Sequence, residues 1–177
     1  TGEPDGAPQK VGLACADLFT GLYGTVAVQA ALLMRARTGR GQWIDMALFD
    51  AQLAVLANQA TNWLIGGRLP RRMGNAHPNI APYQVFEAAD GPLVVACGND
   101  GQFVRLCAAL DLPLAADPRF ALNRDRVAHR DALTTLLAPA LAALPRAAVL
   151  AALEAAGVPA GPINTVAEAF ADPQAQA

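Results

Sequence analysis

The sequence predicts an α/β protein, in which a helix–strand–helix segment precedes an α+β part with a β-hairpin and helices. A long, nearly uncharged apolar stretch at 18–37 is typical of a buried helix. Two β-rich runs flank Asp90-Gly91 in YQVFEAADGPLVVACG, which predicts the hairpin. The second half carries Ala/Leu segments with helical spacing.

The first part is built around GLACADLFTGLYG at 12–24, where a single carboxylate, Asp17, precedes the apolar stretch. We expect Asp17 to be the N-cap of the long helix. Residues 42–48 carry apolar groups on both faces, which predicts a short strand covered on both sides, as in a parallel sheet. Asp50 is then expected to cap a second helix, about 50–65, that ends at Gly66-Gly67.

A boundary or a long functional loop is predicted in 68–82, because this segment contains three Pro and three Arg. We therefore divide the chain into two parts, 1–70 and 71–177. Helices are expected from Asn99 or Asp100 to about Leu110, over 128–143 with a break or a start at Pro139, over 146–156, and over about 166–171.

Composition excludes several classes of function. The net charge of -2 gives no electrostatic basis for binding nucleic acid or an anionic membrane. Three Cys and two His, with no CxxC pair, argue against a disulfide framework and a metal site. We expect a reducing, cytoplasmic compartment. No signal peptide is visible, and Gly or polar residues interrupt every apolar run, so no membrane-spanning segment is expected.

Asp17 has two interpretations. A capping Asp, whose side chain accepts first-turn amides, is the commoner use of such a residue. The same place favours an ionised carboxylate, which beside a reactive acyl carbon can act as a covalent nucleophile. The residue alone favours the cap.

Further candidate binding residues lie in two loops. A His in a Pro/Asn loop often only makes local hydrogen bonds, and GNDG at 98–101 fits either a ligand-lining loop or a plain strand-to-helix turn. The candidate substrate-binding residues are His77, Asn79, Gly98, Asn99 and Asp100. No GxGxxG or P-loop is present.

Together these segments resemble the family III CoA-transferases (the CaiB/BaiF family). The resemblance is carried by ADLFTGLYG, RTGRGQWIDMALFDA, RRMGNAHPNIAPYQVFEAADG, ACGNDGQF, DPRF and AGVPAGPIN, which follow one another in the family's order. It implies that Asp17 attacks an acyl-CoA thioester, and that CoA reaches a second carboxylic acid through anhydride and aspartyl-CoA thioester intermediates. Coenzyme A is then a substrate, and no cofactor is permanently bound.

The resemblance also implies a fold and an assembly. Residues 1–70 would belong to a Rossmann-like large domain and 71–177 to a linker and a small α+β domain, in an interlocked homodimer. In members of this family the N-terminal half of the protein supplies most CoA contacts, and that half would lie outside this chain. We therefore expect an internal fragment that is inactive alone.

Two departures bear on the substrate. Formyl-CoA transferases carry a glycine-rich loop where this chain has HPNIA at 77–81, which argues against an oxalate/formate enzyme. The α-methylacyl-CoA racemases, which share the fold and the Asp, use a Glu where this chain has Asp100. A racemase or epimerase stays open as an alternative, as does a purely structural or dimerisation role for the piece.

Overall fold

The computed structural model describes residues 1–177, which divide into two compact units, Thr1–Gly74 and Asn75–Ala177. The chain is mixed α/β, mostly helical, with one three-stranded antiparallel sheet. Assigning the units to a large and a small CoA-transferase domain stays a prediction.

Unit 1 contains three helices: α1 (Cys15–Thr38), α2 (Leu48–Val55) and α3 (Asn58–Leu64). Helix α1 ends at Gly39, whose left-handed φ of 70° lets its amide donate to the Arg35 carbonyl. The single helix predicted over 50–65 is wrong, because Ala57 has a φ of 47° and separates α2 from α3.

The strand predicted at 42–48 is also wrong. Residues 41–47 lie outside any helix or strand, and α2 begins at Leu48. An extended segment becomes a strand only when a neighbour satisfies its amides and carbonyls, and unit 1 contains no strand to do so. The parallel sheet is therefore not present in this chain.

Helix α1 differs from prediction in its burial, because none of its residues is buried within the chain. It is also long and apolar enough, by length and composition, to cross a membrane, so the expectation that no segment reaches that length is wrong. Core helices of folded proteins pass the same test. The helix thus presents an apolar surface that this chain leaves uncovered.

Unit 2 is built on the predicted hairpin. Strands β1 (Tyr83–Ala88) and β2 (Gly91–Ala96) pair antiparallel, with Tyr83 opposite Ala96. A third strand, β3 (Ala160–Pro162), pairs antiparallel with β2, which becomes the central strand.

Besides two short 3-10 helices (Pro113–Ala116 and Pro118–Phe120), six α-helices complete unit 2. They are α4 (Asp100–Ala109), α5 (Asn123–Ala128), α6 (Arg130–Ala142), α7 (Arg146–Ala155), α8 (Val166–Ala171) and α9 (Pro173–Gln176). Helix α6 runs through Pro139, so the predicted break or start at this residue is wrong. Leu133, Leu137 and Leu141 anchor one face of α6 in the core, which offsets the hydrogen bond that proline removes from the last turn.

The core lies entirely in unit 2, between the sheet and helices α4, α6 and α7. It includes two free thiols, Cys97 and Cys107. Burial raises the pKa of each thiol to about 11, so both are protonated at neutral pH.

Candidate active site

Asp17 lies in the first turn of α1, but it is not the N-cap. Ala14 holds the cap position, and no side chain caps the helix. The carboxylate is exposed and makes no hydrogen bond or ion pair within the chain. The predicted capping role is therefore wrong, and what remains is an unengaged carboxylate near the positive end of a 24-residue helix.

Asp50 repeats this arrangement in α2. It also lies in the first turn, and Ala47 is the N-cap without a side-chain hydrogen bond. The prediction that Asp50 caps its helix is wrong for the same reason. In each helix the N-cap residue lies three residues before the carboxylate.

His77 and Asn79 lie in the loop that leads into β1. The Asn79 amide donates to His77 Nδ1 over 3.1 Å, and the His77 ring stacks on Tyr83 with 5.0 Å between centroids. Burial, and then the positive charge of Arg130, lower the pKa of His77 below its ordinary value. Both effects agree with a neutral ring whose Nδ1 accepts a hydrogen bond.

Gly98, Asn99 and Asp100 form the turn from β2 into α4. Asn99, one of the two residues predicted for this place, is the N-cap, and its Oδ1 accepts from the Gln102 amide at 2.9 Å. The Gln102 side chain in return accepts from the Gly98 amide at 2.7 Å. This exchange fixes the turn, because two donors at the helix start are satisfied reciprocally.

Asp100 joins this turn to α5. Its Oδ1 accepts from the Asn123 amide at 2.9 Å and from Arg126 Nη2 at 2.7 Å. Its Oδ2 makes no hydrogen bond within the chain, and the side chain is about half exposed, at 48%. One oxygen is thus held by the fold while the other is available.

Arg126 is the buried centre of the cluster, with a side chain that is 0% exposed. Besides Asp100, its guanidinium donates to the carbonyls of Ala81 at 2.7 Å and Phe120 at 2.9 Å. The guanidinium lies 4.5 Å above the Phe103 ring. A buried charge is tolerated when it is paired and fully hydrogen-bonded, and no buried polar side-chain atom in the chain lacks a partner.

Asn123 and Arg130 hold the same loop from either side of Arg126. Asn123 accepts from the Ala81 amide at 3.2 Å and donates to the Asn79 carbonyl at 2.8 Å. Arg130 donates to the carbonyls of His77 at 2.6 Å and Ile80 at 3.2 Å. Sequence reasoning missed all three residues, because NRDRVAHR resembles an exposed charged run; the spacing of Asn123, Arg126 and Arg130 by three and four was the available signal.

The structure thus brings five of the six candidate residues into unit 2, where one hydrogen-bonded cluster links His77, Asn79 and Asp100. Asp17 belongs to unit 1. No group of three or more His, Cys, Asp or Glu side chains in the chain could hold a metal ion.

Comparison with known proteins identifies the family. Residues 1–177 match CoA-transferase family III. The chain is 54% identical over 178 residues to a succinate–glutarate CoA-transferase of Agrobacterium fabrum, covering 100% of this chain and 44% of that protein. It is 45% identical over 179 residues to an acetyl-CoA:oxalate CoA-transferase of Acetobacter aceti, covering 100% of this chain and 46% of that protein.

Solved structures agree. A CAIB/BAIF family protein from Brucella suis has 60% identity and a TM-score of 0.74, over 99% of this chain and 47% of that one. Rv3272 from Mycobacterium tuberculosis has 28% identity and a TM-score of 0.83, over 99% and 46%. The chain therefore spans less than half the length of these relatives. With the ordered motifs and the full-length family match, this confirms the resemblance: the chain belongs to CoA-transferase family III.

Proposed function

We propose that the protein containing this chain moves CoA from an acyl-CoA to a carboxylic acid, with Asp17 as the covalent nucleophile. The observation that carries the proposal is the unengaged Asp17 carboxylate in the first turn of α1. No helix amide or cation of the chain competes for its oxygens. A nucleophile needs a carboxylate oxygen with a free lone pair, and neither oxygen of Asp17 is used by a hydrogen bond or ion pair within the chain.

The reaction runs in four balanced steps. Asp17 attacks the thioester carbonyl and expels CoA thiolate, leaving an acyl-aspartyl anhydride. The thiolate attacks the aspartyl carbonyl and releases the donor acid, which gives an aspartyl-CoA thioester. The acceptor carboxylate displaces the thiolate to form a second anhydride, and the thiolate then takes the acceptor acyl group and frees Asp17. Each step needs donors for a developing oxyanion.

We assign the hydrogen-bonded cluster of unit 2 to substrate binding. His77, Asn79 and the Gly98–Asp100 turn offer polar atoms at fixed positions, as a carboxylate or a CoA amide requires. Coenzyme A enters as a substrate, and most of its contacts would come from outside this chain. We place the reaction in the cytoplasm and in a homodimer that is interlocked in the full-length protein, with α1 as a core helix of its large domain.

The acceptor is proposed to be a small dicarboxylic acid. The relatives named above are a succinate–glutarate and an oxalate transferase, and a 40% identical protein of Haloarcula hispanica is a succinyl-CoA:mesaconate CoA-transferase. All of these acids are dicarboxylic. The sequence argument against oxalate, from the loop at 77–81, stays a prediction. Oxalate should therefore be tested as a CoA acceptor beside glutarate.

The test uses the product of the complete reading frame. Incubation with succinyl-CoA, followed by hydroxylamine, should convert the activated Asp17 side chain to a hydroxamate that mass spectrometry locates. Asp17→Asn should abolish both the adduct and the transfer of CoA to glutarate. Asp50→Asn is the matched control, because Asp50 occupies the same first-turn position in α2 and is also exposed.

Three results would contradict the proposal. Label at another residue, or full activity in Asp17→Asn, removes Asp17 as the nucleophile. Deuterium exchange at the α-carbon of a 2-methylacyl-CoA, without movement of CoA to an acid, would identify a racemase instead.

A further inference from the structure

The loop 77–82 and the turn 98–100 are held by one short helix, α5. From α5, Asn123 bonds Asn79 and Ala81 in the first segment and donates its own amide to Asp100 in the second. Arg126 repeats the bridge with bonds to Ala81 and Asp100. We call these two residues the α5 clamp.

The clamp is rigid because Arg126 cannot move without a large cost in free energy. Arg126 is fully buried, and every nitrogen of its guanidinium donates to a carbonyl or to Asp100. A displacement of either segment would leave a buried donor or carbonyl without its partner. The two segments are therefore fixed in one relative geometry.

Each of the two segments also carries a polar side chain with one hydrogen-bonded atom and one available atom. His77 uses Nδ1 for the Asn79 amide, and Asp100 uses Oδ1 for α5. Neither His77 Nε2 nor Asp100 Oδ2 makes a hydrogen bond within the chain. A rigid frame that anchors one atom of each group and leaves the other open is the arrangement that a binding site needs.

We propose that Asn123 and Arg126 are positioning residues, which hold the 77–82 loop and the 98–100 turn in the geometry that binds the acyl-CoA or the carboxylic acid. This inference rests on the proposed function. It assigns no contact with substrate to either residue; they act through the loops that they hold.

The test compares Asn123→Ala with Arg105→Met in the product of the complete reading frame, with succinyl-CoA and glutarate as substrates. Arg105 also holds two carbonyls of unit 2, Ala156 and Gly157, but it hydrogen-bonds to neither segment. Arg124→Ala is a second control, on the exposed side of α5. Asn123→Asp, which keeps the acceptor oxygen for the Ala81 amide, replaces Asn123→Ala if that variant does not fold.

We expect Asn123→Ala to raise the KM for succinyl-CoA or glutarate about tenfold with a smaller change in kcat, the pattern of lost uniform binding. Hydrogen exchange should accelerate in peptides covering 77–82. Arg105→Met should lower thermal stability while leaving both KM values and that exchange unchanged.

The outcomes separate the two proposals. An active wild-type enzyme whose KM values are unchanged by Asn123→Ala overturns the positioning role alone. A rise in KM of the same size in Arg105→Met also overturns it, because general destabilisation would then explain the effect. A wild-type protein without transferase activity overturns the proposed function, and the positioning role with it.

Discussion

At the scale of single residues, His77 shows how one hydrogen bond fixes a protonation state. Its Nδ1 accepts from the Asn79 amide, which is possible only when that nitrogen carries no proton. Protonation of the ring would also place a positive charge near Arg130, whose guanidinium donates to the His77 carbonyl. The fold therefore selects the neutral ring.

This selection predicts a dependence of stability on pH. The pKa of His77 is lowered in the fold from its ordinary 6.5, first by burial and then by Arg130. The unfolded chain therefore binds more protons than the folded chain between the lowered pKa and 6.5. We expect the free energy of unfolding of residues 1–177 to be highest above that window and to fall as the pH drops through it.

Urea denaturation at a series of pH values measures this slope, and NMR titration of the ring measures the pKa itself. His77→Gln should flatten the slope, whereas His129→Gln should retain the part that comes from His77. A ring pKa above 6.5, or an unchanged slope in His77→Gln, would contradict the prediction.

Residue-scale prediction from sequence succeeded where the signal was local. A cap was expected at Asn99 or Asp100, and Asn99 is the cap, because a strand, a turn and a helix start meet there. Asp17 and Asp50 were expected as caps and are not, since an Asp in the first turn is favoured by the helix dipole as much as an Asp at the cap. The choice depends on where the preceding backbone enters the helix, which composition does not specify.

At the scale of elements, periodicity located the hairpin and most helices, because the patterns of two and 3.6 residues are set by the side chains themselves. It failed at 42–48. Apolar side chains on both faces of this segment indicate that it could be buried, but a strand also needs a neighbouring strand, and unit 1 contains none. It also failed at the α2–α3 break, because the positive φ of Ala57 has no signature in its residue type.

Helix α6 offers a matched test of the core at this scale. Leu137 is 0% exposed and its neighbour Leu136 is 41% exposed. Leu137→Ala should lower the free energy of unfolding by about 2–5 kcal/mol, because it removes buried methyl groups and leaves a cavity. Leu136→Ala should change it by less than about 0.5 kcal/mol, as for other exposed positions.

Urea denaturation of the two variants checks the difference. Equal losses of unfolding free energy in the two variants would contradict the assignment of Leu137, and not Leu136, to the core face of α6.

At the scale of the whole molecule, the two units are built differently. Every buried hydrophobic residue except Ala51 belongs to unit 2. Unit 1 instead exposes large apolar side chains along its helices, such as Leu22, Leu33 and Phe49. A sequence alone predicts that such residues are buried; it does not say whether the surface that covers them is in the same chain. Since this chain spans less than half of the relatives compared with it, we propose that the remainder of the protein, or its partner subunit, covers them.

This asymmetry predicts that the two units differ in their ability to fold alone. Residues 75–177 contain a sheet, helices on it and a continuous core, so we expect the isolated segment to unfold cooperatively in urea and to give a dispersed NMR spectrum. Residues 1–74 bury one hydrophobic residue, Ala51, which lies outside the core, and cannot offset the entropy of ordering three helices, so this segment should bind a hydrophobic dye and unfold without a cooperative transition. Cooperative unfolding of 1–74 alone would contradict this prediction.

In the product of the complete reading frame, dye binding should be lost, because we expect the apolar surface of α1 to be covered there. Dye binding that persists in the complete protein would contradict the proposal that its remainder, or its partner subunit, covers α1.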